Sequence, residues 1–370
     1  MTELITNEAI ASGAIERLAK FQLDGKTILC KPFGCGNINN TYLVLDETAR
    51  AYILQKINKN VFRNPLGVMR NIVAITDYLS QSAKSHRSVL ELIPTVNGDM
   101  WLVDDEDDYW RVYSFITDSV CFQRAENEEI FKESARAFGA FQRSLSDFPA
   151  EELHETIPWF HNTPKRYEAL HAAVKADSAG RAGEVGREIE FLLEREGYAG
   201  TLMKRNAEGS LPLRVTHNDT KLNNVLFDRR TRKFLCVVDL DTVMPGFSVT
   251  DFGDSIRYGA STAAEDEKDL SKVHFSLQLF KAYAEGFLGE CGESLTDGEA
   301  ASLSDASRII TLENGVRFLT DYLSGDVYFR TLYETHNIDR CRTQLKLVED
   351  MEKSFGQMQS VVENLYKRRA

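Results

Sequence analysis

Between Val215 and Phe227 a polar loop, flanked by short apolar runs, presents His217, Asp219, Lys221 and Asn224. The residue types suit phosphoryl transfer. A hydroxyl that attacks a γ-phosphate needs one carboxylate to orient it and accept its proton, and Asp219 has the right chemistry. A side-chain oxygen must hold Mg²⁺ against the phosphates, which fits Asn224, five residues on. Lys221 would neutralise charge on the phosphoryl group in transit. His217 reads as a peg behind the loop rather than a reacting group. A second acidic signal follows in Phe234-Leu235-Cys236-Val237-Val238-Asp239-Leu240-Asp241, an apolar strand that presents two acids on one face. Asp239 is expected to bind Mg²⁺, with Asp241 as a second ligand.

Asp251-Phe252-Gly253 also spells a magnesium motif. In protein kinases, however, the metal aspartate lies roughly 18 residues beyond the base. Asp239 lies 20 beyond Asp219 and Asp251 lies 32 beyond. Asp251 is therefore expected to begin a helix and accept hydrogen bonds from backbone amides, those of the catalytic loop among them. Asp254 and Arg257 read as a helical i, i+3 pair.

These groups need elements to position them. Ile28–Cys30, Tyr42–Leu45 and Tyr52–Gln55 read as antiparallel strands, and the turn between the first two carries Gly34, Gly36 and Asn37. Such a turn lets backbone amides approach phosphate, though it is equally an ordinary hairpin. A phosphate-binding lysine would stand on the third strand, where the aligned residue is Gln55. Lys56 follows, but alternation points it to the other face. Residues 65–82 read as a helix without an inward glutamate. Trp101–Val103 and Trp110–Phe115 complete the sheet, and 113–116 would meet adenine or form a plain sheet edge. Beyond about residue 117 the pattern is helical, with long helices at 266–288, 302–324 and 340–366. The fold class is α+β: a small antiparallel-sheet lobe at 1–115 carrying the glycine loop, and a large, mainly helical lobe at 116–370 carrying the catalytic loop and metal residues. The last helix is expected to pack on its own lobe, leaving a monomer.

Composition bounds the partners. A formal net charge of -12 argues against non-specific nucleic-acid binding and against anionic membrane surfaces. The six cysteines show no metal-binding spacing and read as reduced thiols. No segment resembles a signal peptide or a membrane span, so a cytoplasmic protein is expected.

The strings Gly34-x-Gly36-Asn37-x-Asn39-x-Thr41-Tyr42, Tyr52–Gln55, His217–Asn224 and Val238-Asp239-Leu240-Asp241-Thr242-x-Met244-Pro245-Gly246 resemble the aminoglycoside phosphotransferase and choline kinase superfamily. Within it the sequence is most similar to the N-acetylhexosamine 1-kinases. That similarity extends through Asp251–Arg257, Leu270–Phe275 and Gly325–Phe329. The resemblance implies a protein-kinase-like two-lobed fold. It implies ATP- and Mg-dependent phosphorylation of the anomeric hydroxyl of GlcNAc or GalNAc, with Asp219 as base and Asn224 and Asp239 as metal ligands. An anomeric hydroxyl is more acidic than an ordinary alcohol, so a carboxylate that mainly orients it suffices.

Arg317 interrupts an apolar helical stretch, and a buried arginine must be paired or bind something polar. With Tyr328 it is expected to contact the sugar. The plainer alternatives are an Arg317–Asp321 salt bridge and a core tyrosine. Other acceptors stay open, namely choline, homoserine, a methylthiosugar or an aminoglycoside. A nucleotide-binding pseudokinase is a further alternative, supported only by the missing strand lysine and helix glutamate.

Overall fold

The computed structural model describes residues 13–34, 38–83 and 85–368. Gly36 and Asn37, expected in a phosphate-binding turn, lie outside the described residues. The chain divides into two compact units. The first comprises residues 1–119, 151–158 and 235–243, and the second 120–150, 159–234 and 244–370. The segment bearing Asp239 and Asp241 thus groups with the sheet, not with the helices.

The first unit is built on an antiparallel sheet. Strands β1 (Thr27–Pro32), β2 (Asn40–Asp46), β3 (Ala51–Lys56), β4 (Leu92–Ile93), β5 (Leu102–Val103) and β6 (Tyr109–Ser114) join in the order β1-β2-β3-β6-β4, and β5 also pairs with β6. Alternation sorts the faces. Val44, Leu54 and Val112 are completely buried, and with Tyr42, Tyr52 and Trp110 they pack against Ala14 and Leu18 of a helical segment at 13–18. In register one step away, Thr41 lies opposite Gln55, and Gln55 opposite Arg111, forming a polar row on the other face. Helix α1 (Pro65–Ser80) starts on the side chain of Asn64, which accepts from the Gly67 amide, and has Pro65 in its first turn. It carries no acidic residue but Asp77.

In the second unit, helix α2 (Glu128–Ser144) packs on α5 (Leu277–Cys291), and α6 (Asp297–Leu323) packs on both α4 (Ser248–Gly259) and α7 (His336–Lys367). Helix α3 (Thr163–Ala176) also lies on α6. Strands β7 (Arg214–Thr216) and β8 (Met244–Gly246) pair antiparallel and flank the catalytic loop. A Cβ on Gly246 would strike the Thr216 side chain, so only glycine fits that register. A capping box between Thr296 and Glu299 starts α6, and Glu299 also binds Arg214 of β7.

The sequence placed a helix over 266–288. The structure instead has a single 3₁₀ turn at Leu270–Lys272, and α5 begins only at Leu277. Asp269 explains the difference, because its side chain accepts from the Ser271 amide and its hydroxyl, holding a turn in place of a helix.

Candidate active site

The catalytic loop is suspended from α4. Asp251, in the first turn of that helix, accepts from the amides of His217 at 2.8 Å and Asn218 at 2.7 Å. Gln142 of α2 donates to the same carboxylate at 2.7 Å. Burial keeps the Asp251 carboxyl above its ordinary range despite these donors. One turn on, Asp254 accepts from the Thr220 amide, and Ser255 donates to the Thr220 carbonyl at 2.7 Å. The expectation for Asp251 is met. The rest of the literal motif is structural too. Phe252 is completely buried among Phe280, Tyr283 and Phe287, and any Cβ on Gly253 would collide with the Ala306 carbonyl of α6.

His217 is completely buried, with its ring edge-on to Phe138 and Phe141, as a peg would be. Asn218 then takes a left-handed conformation at φ 65°, which asparagine tolerates, and Asp219 follows it. Both oxygens of Asp219 are held. Lys221 lies 2.7 Å from Oδ1, and Asn224 donates to Oδ2 at 3.0 Å and to the Asp219 carbonyl at 2.8 Å. Burial pushes the Asp219 carboxyl up, but Lys221 outweighs it and holds the group below the usual carboxylate range. The side chain keeps 23% of its exposure, enough to meet a substrate hydroxyl. Arg257 pairs with Asp254 at 2.8 Å, as the i, i+3 spacing suggested, and with Glu265.

Two residues in this loop's support were not singled out from the sequence. His161 hydrogen-bonds the Asn218 carbonyl through Nε2 at 3.2 Å and Glu313 of α6 through Nδ1 at 2.9 Å. Both partners can only accept, so the ring carries a proton on each nitrogen. Burial pushes His161 down, and Glu313 more than restores it, leaving the imidazole above its ordinary range. Thr163 donates to the other Glu313 oxygen at 2.7 Å.

One turn further along α6, Arg317 stacks over the rings of Phe160 at 5.1 Å and Phe329 at 5.4 Å. The Arg317–Asp321 salt bridge does not form. Asp321 instead accepts from the amides of Val327, Tyr328 and Phe329 and fixes the turn that carries them. Tyr328 is 58% exposed and packs edge-on to Phe329, so it is no core aromatic. Arg317 and Tyr328 thus share one aromatic corner. Arg166 joins it by donating to the Phe160 carbonyl at 2.7 Å, while its buried Nε has no hydrogen-bond partner. Neither arginine forms an ion pair among the described residues.

In the sheet unit the strand expected to carry two acids ends at Val237. Asp239 is left-handed at φ 63° and exposed, and Leu240–Thr242 form a 3₁₀ turn. The two acids therefore do not share a strand face. Asp241 is not available as a metal ligand, because Arg111 takes both its oxygens, at 2.6 and 2.7 Å, and Asn39 donates to it at 2.9 Å. Gln55 does not face a ligand alone either. Its Oε1 accepts twice from Arg111 and its Nε2 donates to Thr41. Lys56 points to the opposite face, pairing with Asp108 over the Trp110 ring. Gly34, two residues beyond β1, stands at φ 81°, a conformation that favours glycine.

Asp239 in the sheet unit and Asn224 in the helical unit each carry a hard oxygen donor. No cluster of three or more His, Cys, Asp or Glu able to hold a metal occurs among the described residues.

A carboxylate fixed between a lysine and an asparagine stands on a protein-kinase-like α+β chain, with an antiparallel-sheet unit and a helical one. Residues 30–285 match the phosphotransferase enzyme family model, and the chain belongs to that family. Solved structures share the fold. An aminoglycoside phosphotransferase from Alicyclobacillus acidocaldarius is 12% identical with a TM-score of 0.65, over 94% of this chain and 96% of that one. An amicoumacin kinase in complex with AMP-PNP, Ca²⁺ and its antibiotic is 14% identical with a TM-score of 0.62, over 94% and 96%. A choline kinase from Cryptosporidium parvum is 15% identical with a TM-score of 0.58, over 99% of each chain.

Proposed function

We propose that this phosphotransferase moves the γ-phosphoryl group of ATP to the anomeric hydroxyl of an N-acetylhexosamine. The observation that carries the transfer is Asp219, held by Lys221 and Asn224 and kept ionised by the lysine. Its carboxylate orients the sugar O1–H and takes its proton as the O1–P bond forms and the bond to the β-phosphate oxygen breaks, releasing ADP. Lys221 offers a positive charge beside the reacting oxygens. Asn224 and Asp239 would hold Mg²⁺, which when bound neutralises charge on the phosphates. Use of a nucleotide and a divalent cation is supported by the amicoumacin kinase complex, which holds AMP-PNP and Ca²⁺.

The acceptor reading rests on the corner formed by Arg317, Phe160, Phe329 and Tyr328. Aromatic faces and planar donors suit a sugar ring and its N-acetyl group. Two guanidinium groups without ion-pair partners oppose a cationic acceptor, which disfavours choline and the aminoglycosides. The five described cysteines are free thiols, in keeping with a reducing cytoplasm.

The test is ADP release with Mg-ATP against GlcNAc, GalNAc, glucose, galactose, choline, homoserine and kanamycin, with phosphorus NMR to locate the ester. Turnover of the N-acetylhexosamines to a 1-phosphate is expected. Turnover confined to an amine acceptor would overturn the sugar assignment, and nucleotide binding without any turnover would favour a regulator.

A further inference from the structure

A buried guanidinium is costly unless every face of it is used. Arg111 is 1% exposed and Asp241 2% exposed, and the two form a bidentate pair. The remaining donors of Arg111 go to Gln55 Oε1, at 3.0 Å from Nε and 2.8 Å from Nη2, and to Met69 Sδ, at 3.9 Å from Nη1, and its face lies 5.2 Å from the Tyr113 ring. The cation therefore stands beside Gln55, the third-strand position at which the sequence lacks its expected lysine.

The pair also fixes what surrounds it. Asn39, at the start of β2 and close behind the glycine turn, donates to Asp241 and accepts from the Asn58 amide at 3.0 Å. Asn58 in turn donates to the Ile38 carbonyl at 3.1 Å. Asp239 stands close to the Asp241 side chain. Beyond the 3₁₀ turn, Asn71 of α1 donates to the Val243 carbonyl at 2.9 Å. The 3₁₀ turn is thereby held at Asp241 and at Val243, directly behind Asp239, whose left-handed conformation a free aspartate would adopt only part of the time.

We propose that Arg111 is a positioning residue that replaces the strand lysine. By clamping Asp241 it sets Asp239 for the metal, and through Asn39 it fixes the chain where it enters β2. This rests on the phosphotransfer reading above but not on the identity of the acceptor.

The test is direct binding of ADP by calorimetry, with and without Mg²⁺, for the wild type, Arg111→Lys and Asp241→Asn, with melting curves to verify folding. The expected result is a 10–100-fold loss in the Mg²⁺-dependent part of binding, as when a residue that orients a metal ligand is removed. Binding without metal should change less than threefold, and the acceptor KM should stay put. The double variant Gln55→Lys/Arg111→Gln, which returns the cation to β3, should recover part of the loss. Unchanged metal dependence in folded variants, or equal losses with and without metal, would overturn the proposal. A wild-type protein that binds no Mg-nucleotide would sink the phosphotransfer reading instead.

Discussion

The two acid-bearing segments are held by opposite means. In the helical unit, Asp219 stands on a loop whose amides hang from the carboxylates of Asp251 and Asp254, and its own oxygens are held by residues two and five positions on. In the sheet unit, the segment of Asp239 and Asp241 is held by a guanidinium and an amide that lie 130 and 202 residues away in sequence. The first arrangement leaves the reactive carboxylate part-exposed and anchors the backbone behind it. The second buries one carboxylate completely so that its neighbour is placed. Local spacing builds a part-exposed, held carboxylate, and distant pairing builds a frame.

The contrast breaks most sharply at the reacting group. Asp219→Asn keeps the shape and the Asn224 contact but cannot accept a proton. Turnover should fall about 10²–10⁴-fold, with ADP binding within a few-fold of wild type. Retained turnover in a phosphate-release-corrected assay would mean that another group takes the proton.

Next in size is the frame behind that loop. Glu313 is fully buried and paired to a protonated His161, so Glu313→Ala strands a buried cation. A loss of about 3–5 kcal/mol is expected, read as a fall in denaturation midpoint. A change below about 1 kcal/mol would show that water or Thr163 replaces the carboxylate at little cost.

Smaller still is the aromatic corner. Arg317→Ala removes a cation that stacks on two rings and bonds to Asn314 only at 3.4 Å. If it contacts the acceptor, the acceptor KM should rise by about tenfold or more, the worth of a hydrogen bond from a charged group, with the ATP KM unchanged. Equal effects on both substrates, or on stability alone, would return Arg317 to a packing role.

How far the sequence carried the reading follows the same division. The catalytic loop was legible because its chemistry is confined to eight consecutive residues, His217–Asn224, and because Asp251 heads a helix where a carboxylate meets amides. Strands β2 and β3 and helices α1 and α7 were legible from period alone. Arg111 was not, since Trp110-Arg111-Val112-Tyr113 alternates like any hairpin strand and its partner is far away in sequence. Asp239 was misplaced on a strand because an apolar run does not show where the chain turns left-handed. Glu313 was within reach. The argument that singled out Arg317, a charge inside an apolar helical stretch, applies equally to Glu313 one turn earlier. His161 had no such mark, because a single histidine after Pro158-Trp159-Phe160 looks like any loop residue.

The finest test of the comparison is pH, because His161 links the Asn218 carbonyl to Glu313 of α6 through its two ring nitrogens. Its ring faces Glu313 directly, with the charges of Asp254 raising its proton affinity and that of Arg317 lowering it. Its folded pKa lies above its unfolded value of roughly 6.5. The stabilisation it supplies is therefore complete below that pH and is lost as pH rises through the folded value. Asp219 and Asp241 run the other way. Their folded pKa values are depressed, so what they add is present above the unfolded carboxylate range near 4 and disappears only as pH falls through the folded values. Of these three groups only the histidine should move between pH 6 and 9. The melting temperature of the wild type minus that of Glu313→Gln should shrink with rising pH across this window, because the variant has already lost the partner that holds the proton. The His161 ring signal should titrate lower in the variant. A difference that stays flat from pH 6 to 9 would mean that the imidazole is neutral in the folded protein, and that one of its two hydrogen bonds is not made.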